Sequence, residues 1–239
     1  MNQIDFKAIA AAKGEKELDL NPERTVLIIV DMQRYFVDSN CPFGLMWSRV
    51  LPEDATAFYR RVGDLVIPSN QALLECCRGL EVPVYFTAFG SLREDGRDLP
   101  RWAQHHNQLC RQMVGQSMYP SCYESSWQIC DGLKALPGER VVAKVTSGVL
   151  GSTTLDHTLH GLGKTTLIVT GVCTNVCVMQ TAREFADRNF QVVVAEDACA
   201  TIGTARHEAA LETFAYVFGR VSSAEQITRA LQNQSVAGA

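Results

Sequence analysis

Apolar residues along this 239-residue chain gather into short runs with polar or glycine-bearing breaks between them. Residues 25–30 (TVLIIV) and 165–170 (TTLIVT) are nearly continuous apolar or β-branched runs, the pattern of strands covered on both faces. Residues 82–88, 140–145 and 191–196 are short, β-branched or aromatic, and read as further strands. Helical spacing occupies 55–79, 153–161, 175–189 and 205–218. A last helix is predicted over 223–232, with Ser222 or Ser223 as N-cap and Glu225 or Gln226 in its first turn. Strand alternating with helix predicts a three-layer α/β/α domain with a Rossmann-like, mostly parallel sheet. Residues 90–137 break the alternation, carrying Pro100, Trp102, Pro120, Tyr123, Trp127 and weak periodicity. A connection of that length is locally structured or functional, and its aromatics suit a lid, a pocket wall or a subunit contact. Residues 1–20 read as an N-terminal arm and 21–239 as one domain.

Composition narrows the function classes. Hydrophobic residues make up 46% and charged residues 20%, with a net charge of −4, so no basic field points to nucleic acid or an anionic membrane. No apolar run approaches the roughly 20 residues that span a bilayer, and the first residues lack a secretory pattern. Nine cysteines, an odd number without a repeating framework, predict reduced thiols and a cytoplasmic setting.

Candidate chemistry sits at the predicted strand ends. Cys177 follows the 165–170 strand and Gly171, inside the first turn of a helix. Helix N–H groups and the dipole favour negative charge there, which predicts a stabilised thiolate and donors for an adjacent oxyanion. As a small buried hydrophobe, a cysteine also suits the same place without chemistry. Asp31 closes the first strand and Lys144 the third; each is costly to bury unless paired, and each alone reads as half of a structural ion pair. Three polar groups at three strand ends, where ligands of open α/β sheets sit, make a stronger signal together. Gln33 and Tyr35 are candidate pocket residues or ordinary turn packing. Thr174 and Asn175 read as turn and cap residues of the nucleophile helix, and Asp197 as a loop cap or an indirect support. The five histidines form no recognisable metal set, and His207 reads as a capping or solvent-facing residue.

Three segments carry a resemblance: LIIVDMQRYF (27–36), VVAKVTSGVLGSTTLDHTL (141–159) and LIVTGVCTNVCVMQTAREFADRNFQVVVAEDACAT (167–201). Through them the chain resembles the isochorismatase-like cysteine hydrolase family. The resemblance implies a catalytic Asp31–Lys144–Cys177 triad and a non-proline cis peptide at Val172–Cys173, with the Cys173 and Cys177 N–H groups aimed at the reacting oxygen. It also implies a small-molecule substrate, no cofactor, and a homo-oligomer, either dimer or tetramer. The nicotinamidase branch holds zinc through histidines after the first two strands, and the corresponding segments here contain none, which argues against a metal. Leu150 stands where relatives commonly carry an aromatic, so that pocket wall is expected to be reshaped. The implied activity is metal-independent hydrolysis of a C–N bond in a small amide, carbamoyl or ureido compound, through a Cys177 thioester. The alternatives are an isochorismatase-type vinyl-ether hydrolase releasing pyruvate, and a catalytically silent oligomeric or redox thiol module.

Overall fold

The computed structural model describes residues 18–237. Most of the predicted N-terminal arm therefore lies outside the described residues, although Leu20 is buried on the core. Six strands form one parallel sheet: β1 (Thr25–Val30), β2 (Val84–Phe89), β3 (Arg140–Lys144), β4 (Thr166–Val172), β5 (Gln191–Ala200) and β6 (Arg220–Ser222). Their spatial order is β3-β2-β1-β4-β5-β6. The described helices are α1 (Arg34–Val37), α2 (Pro42–Val50), α3 (Pro52–Arg61), α4 (Ile67–Gly79), α5 (Arg101–Val114), α6 (Leu155–Gly161), α7 (Met179–Ala186), α8 (Thr204–Val217) and α9 (Ala224–Ala237).

The central strands alternate their side chains between two cores, which is the origin of the three layers. On one face Val26, Ile28, Leu167, Val169 and Val192 pack with Leu159 of α6, Phe185 of α7 and Phe214 of α8. On the other, Leu27, Ile29, Phe86, Ile168 and Val193 pack with Leu73 of α4 and Ile227 of α9. Each such side chain taken from water contributes about 1.5–3 kcal/mol, so the strands need apolar residues on both faces.

Several elements depart from the sequence pattern. The predicted 55–79 helix is α3 and α4 joined through a π turn at Val62–Val66. The nucleophile helix opens with another π turn, Thr174–Val178. Strand β6 has three residues, too few to show a period. Helix α5 escaped notice because its buried positions are Ala103, Asn107 and Cys110, helical in spacing but weakly apolar. At α9 the capping expectation is met reciprocally: Ser223 Oγ accepts from the Gln226 N–H at 3.2 Å, and Gln226 Oε1 accepts from the Ser223 N–H at 3.2 Å. Asp197 caps the same helix, accepting from the Ala224 N–H at 2.8 Å.

Candidate active site

The strand order reverses between β1 and β4, which opens a crevice beyond their carboxyl ends. Asp31 follows β1 and adopts φ 52°, a left-handed conformation uncommon outside glycine. Its backbone N–H donates to Thr87 O at 3.1 Å. Gly171 on β4 has φ 110°, and a Cβ there would overlap the Val30 carbonyl oxygen, so glycine permits the close approach of β1 and β4. The Val172–Cys173 peptide bond is cis. The π turn carrying Cys177 follows directly.

Lys144 ends β3, two strands from β1, and its long side chain reaches Asp31 past Phe89 at the end of β2. Lys144 Nζ lies 2.7 Å from Asp31 Oδ2, and both side chains are 0% exposed. The ammonium also donates to Thr146 O at 3.0 Å and Ser147 O at 2.8 Å, and sits 4.9 Å from the centroid of the Phe89 ring. Asp31 Oδ1 accepts from Thr87 Oγ1 at 2.6 Å. Burial pushes the Lys144 pKa down, but the facing Asp31 carboxylate and Cys177 sulfur outweigh it, so the net shift is upward and the lysine stays charged.

Cys177 is buried beside this pair. Desolvation raises its thiol well above the ordinary range; Lys144 opposes the shift and Asp31 adds to it. The thiolate expected from the helix start is therefore not the resting form. Cys177 rests as a thiol and needs a proton acceptor, and Asp31 is the neighbouring carboxylate. Cys173 is likewise pushed up to about 12, chiefly by burial.

A cavity of about 460 Å³ opens onto the two thiols. Its walls include Phe36, Phe43, Trp47, Phe89, Trp102 and Tyr119, with Ser147, Asn175 and Thr201 among the polar positions and Arg206 also on its lining. Phe89 and Trp102 stack with centroids 5.7 Å apart, and Tyr119 meets Phe89 edge-on at 5.1 Å. Residues 90–137 thus supply part of the pocket wall through Trp102, His106 and Tyr119.

Comparison with known proteins shows the family and the fold. The isochorismatase domain model matches residues 25–226. The chain belongs to the isochorismatase family. Among relatives of this isochorismatase-family hydrolase is a ureidoacrylate amidohydrolase RutB of Methylobacterium radiotolerans, 29% identical over 219 residues and covering 89% of this chain and 81% of the relative. Nicotinamidase 3 of Arabidopsis thaliana is 26% identical, with 90% and 93% of the two chains covered. In fold, a cysteine hydrolase from Pseudomonas syringae pv. phaseolicola 1448A superposes with a TM-score of 0.74 at 24% identity, covering 91% of this chain and 97% of the other.

Within this family frame, the structure brings Asp31, Lys144, Cys173 and Cys177 together but keeps three other predicted residues off the cavity lining. Gln33 is fully buried and clamps Phe89: its Nε2 donates to Phe89 O at 3.0 Å and its Oε1 accepts from Phe89 N–H at 2.8 Å. Tyr35 donates to the same Phe89 carbonyl at 3.1 Å. Both act on the pocket through Phe89. Leu150 is tied by its N–H to Glu184 Oε2 at 2.8 Å and is not on the cavity lining. Asn175, read as a cap, instead lines the cavity and accepts from Thr201 Oγ1 at 2.6 Å.

His207 is also corrected: it is buried, not solvent-facing. Arg61 Nη2 lies 3.2 Å from His207 Nε2, and His207 Nδ1 lies 2.9 Å from Thr174 Oγ1. A guanidinium only donates, so Nε2 accepts and Nδ1 carries the proton toward Thr174. Burial and Arg61 push the His207 pKa down to about 4, keeping the ring neutral. This chain braces the nucleophile turn. Arg61 and Thr87 carry no signal in the sequence, and the role of His207 differs from its reading there, because each is defined by a partner distant along the chain.

Proposed function

We propose that this protein is a metal-independent cysteine hydrolase that cleaves a C–N bond of a small amide, carbamoyl or ureido compound. The observation that carries the reading is the fully buried Asp31–Lys144 pair beside Cys177, which itself lines a cavity open to a small molecule. The RutB relative, an amidohydrolase by name, supports C–N cleavage over vinyl-ether cleavage.

The chemistry follows from the groups present. Asp31 Oδ2 has no hydrogen-bond partner besides its ion-pair contact with Lys144, and it accepts the Sγ proton as general base. Lys144 stabilises the charge left on sulfur. The thiolate attacks the carbonyl carbon, and the backbone N–H groups of Cys173 and Cys177 receive the oxyanion. Protonated Asp31 returns its proton to the leaving nitrogen as the C–N bond breaks, leaving a thioester on Cys177. Water, deprotonated by Asp31, then attacks the thioester and releases the acid and the free thiol. Proton acceptor and charge compensation are both side chains, so no metal is called for. All nine cysteines are free, which supports a reducing compartment such as the cytoplasm.

The test is ammonia release from a panel of primary amides, carbamoyl and ureido compounds, with Cys177→Ala as the blank. Turnover that falls by at least about a thousandfold in Cys177→Ala is the expected result. Ammonia release that persists in that variant, or pyruvate release from isochorismate that survives it, would overturn the reading.

A further inference from the structure

The cavity above Cys177 differs in character from the groups beneath it. At about 460 Å³ it is far larger than a carbamoyl group and falls within the roughly 300–1,000 Å³ of pockets that enclose drug-sized ligands. The scissile group occupies only its floor, so the remaining volume selects the body attached to that group. Phe43, Trp47, Phe89, Trp102 and Tyr119 present rings to this volume.

Among the described residues, each cation in or beside the cavity already faces an acceptor or is neutral. The Lys144 ammonium is engaged by Asp31 at 2.7 Å, Thr146 O at 3.0 Å and Ser147 O at 2.8 Å. His106 shares a hydrogen bond with Tyr119 at 3.1 Å, and burial together with neighbouring His105 lowers its pKa, so it is neutral at pH 7. Arg206 is half-exposed, and its Nη1 lies 3.4 Å from Asp54 Oδ2 and 3.1 Å from Ile202 O. A carboxylate entering among these rings would lose its hydration and would have to compete with Asp54 for Arg206, the one charged side chain on the lining, and ring faces are themselves electronegative.

We infer that the substrate carries an uncharged, ring-bearing apolar body on its scissile amide, and that acidic ureido and carbamoyl compounds fit the site poorly. The inference rests on the hydrolase reading for what happens to the amide, but its test reads binding and is separate from turnover. The probes are 3-phenylpropanamide, the same skeleton bearing a para-carboxylate, and N-carbamoyl-β-alanine. Each is titrated into the Cys177→Ala protein, with quenching of Trp47 and Trp102 on the cavity wall as the signal. The neutral amide is expected to bind at least tenfold more tightly than either anion. Trp102 is 37% exposed, so Trp102→Ala is compatible with folding. That variant should weaken the neutral amide at least fivefold, while Trp102→Phe restores most of the loss. Equal or tighter binding of either anion, or no saturable binding of the neutral amide, would overturn the inference. Tight neutral binding without ammonia release from the wild-type protein would leave the apolar preference standing and sink the hydrolase reading instead.

Discussion

Replacing Lys144 by Met tests the energetic core of the site. Asp31 and Lys144 are both 0% exposed and 2.7 Å apart, so the substitution leaves a carboxylate in the interior without its counter-charge. Breaking a buried pair by removing one partner costs about 3–5 kcal/mol. The Thr146 and Ser147 carbonyls lose their donor as well, and each such acceptor that stays dry adds about 1–3 kcal/mol. Lys144→Met should therefore destabilise the protein by at least about 3 kcal/mol. The Asp31→Asn/Lys144→Met double variant removes the stranded charge and should recover about 2 kcal/mol or more of that loss. The assay is equilibrium urea unfolding at pH 7 and fixed protein concentration, with the midpoint read at unchanged slope. A single variant within about 1 kcal/mol of the parent would refute the reasoning, as would a double variant whose loss equals the sum of the two singles.

Other perturbations reach the same site from different sides. Thr87→Val keeps the shape but deletes the 2.6 Å bond to Asp31 Oδ1, and should cost about 1–3 kcal/mol in urea unfolding and lower kcat more than it raises KM. Gly171→Ala places a Cβ against the Val30 carbonyl at a φ of 110°, and should part β1 from β4 and abolish both turnover and the wild-type thermal transition. His207, held down to about 4, is neutral when folded, whereas the unfolded chain takes up its proton near pH 6.5. Its share of stability is thus intact above pH 6.5 and declines as pH falls toward 4. His207→Gln should flatten that part of the urea-midpoint-against-pH curve, and an unaltered curve would contradict the assignment.

How much was legible in the sequence depended on whether a residue's role was local or shared. The strand runs of β1 and β4 announced themselves because both faces of each are buried; Asp31 stood out as the charge closing the first, and Lys144 as the charge closing the more exposed β3. Ser223 and Gln226 were readable because a capping box is written within four consecutive residues. Gln33 and Tyr35 read as pocket residues or turn packing, whereas their side chains bond to Phe89, a partner set by β2 far along the chain. The protonation state of Cys177 was misjudged for a similar reason. A helix start favours a thiolate, but burial outweighs it, and the core that buries Cys177 is assembled from distant residues such as Val30 of β1 and Val149. Helix α5 itself was hidden because it buries Ala103, Asn107 and Cys110, and its larger ring at Trp102 faces the cavity.

The central claim is that Cys177 carries the acyl group. A turned-over amide should be mixed with the protein, quenched in acid at times short of one turnover, and examined by intact mass and peptide mapping. The expected result is a mass gain equal to the acyl part of the substrate, located on Cys177, discharged by hydroxylamine and missing from Cys177→Ala. Product formed at the wild-type rate by Cys177→Ala, with no adduct on the wild-type protein, would contradict it.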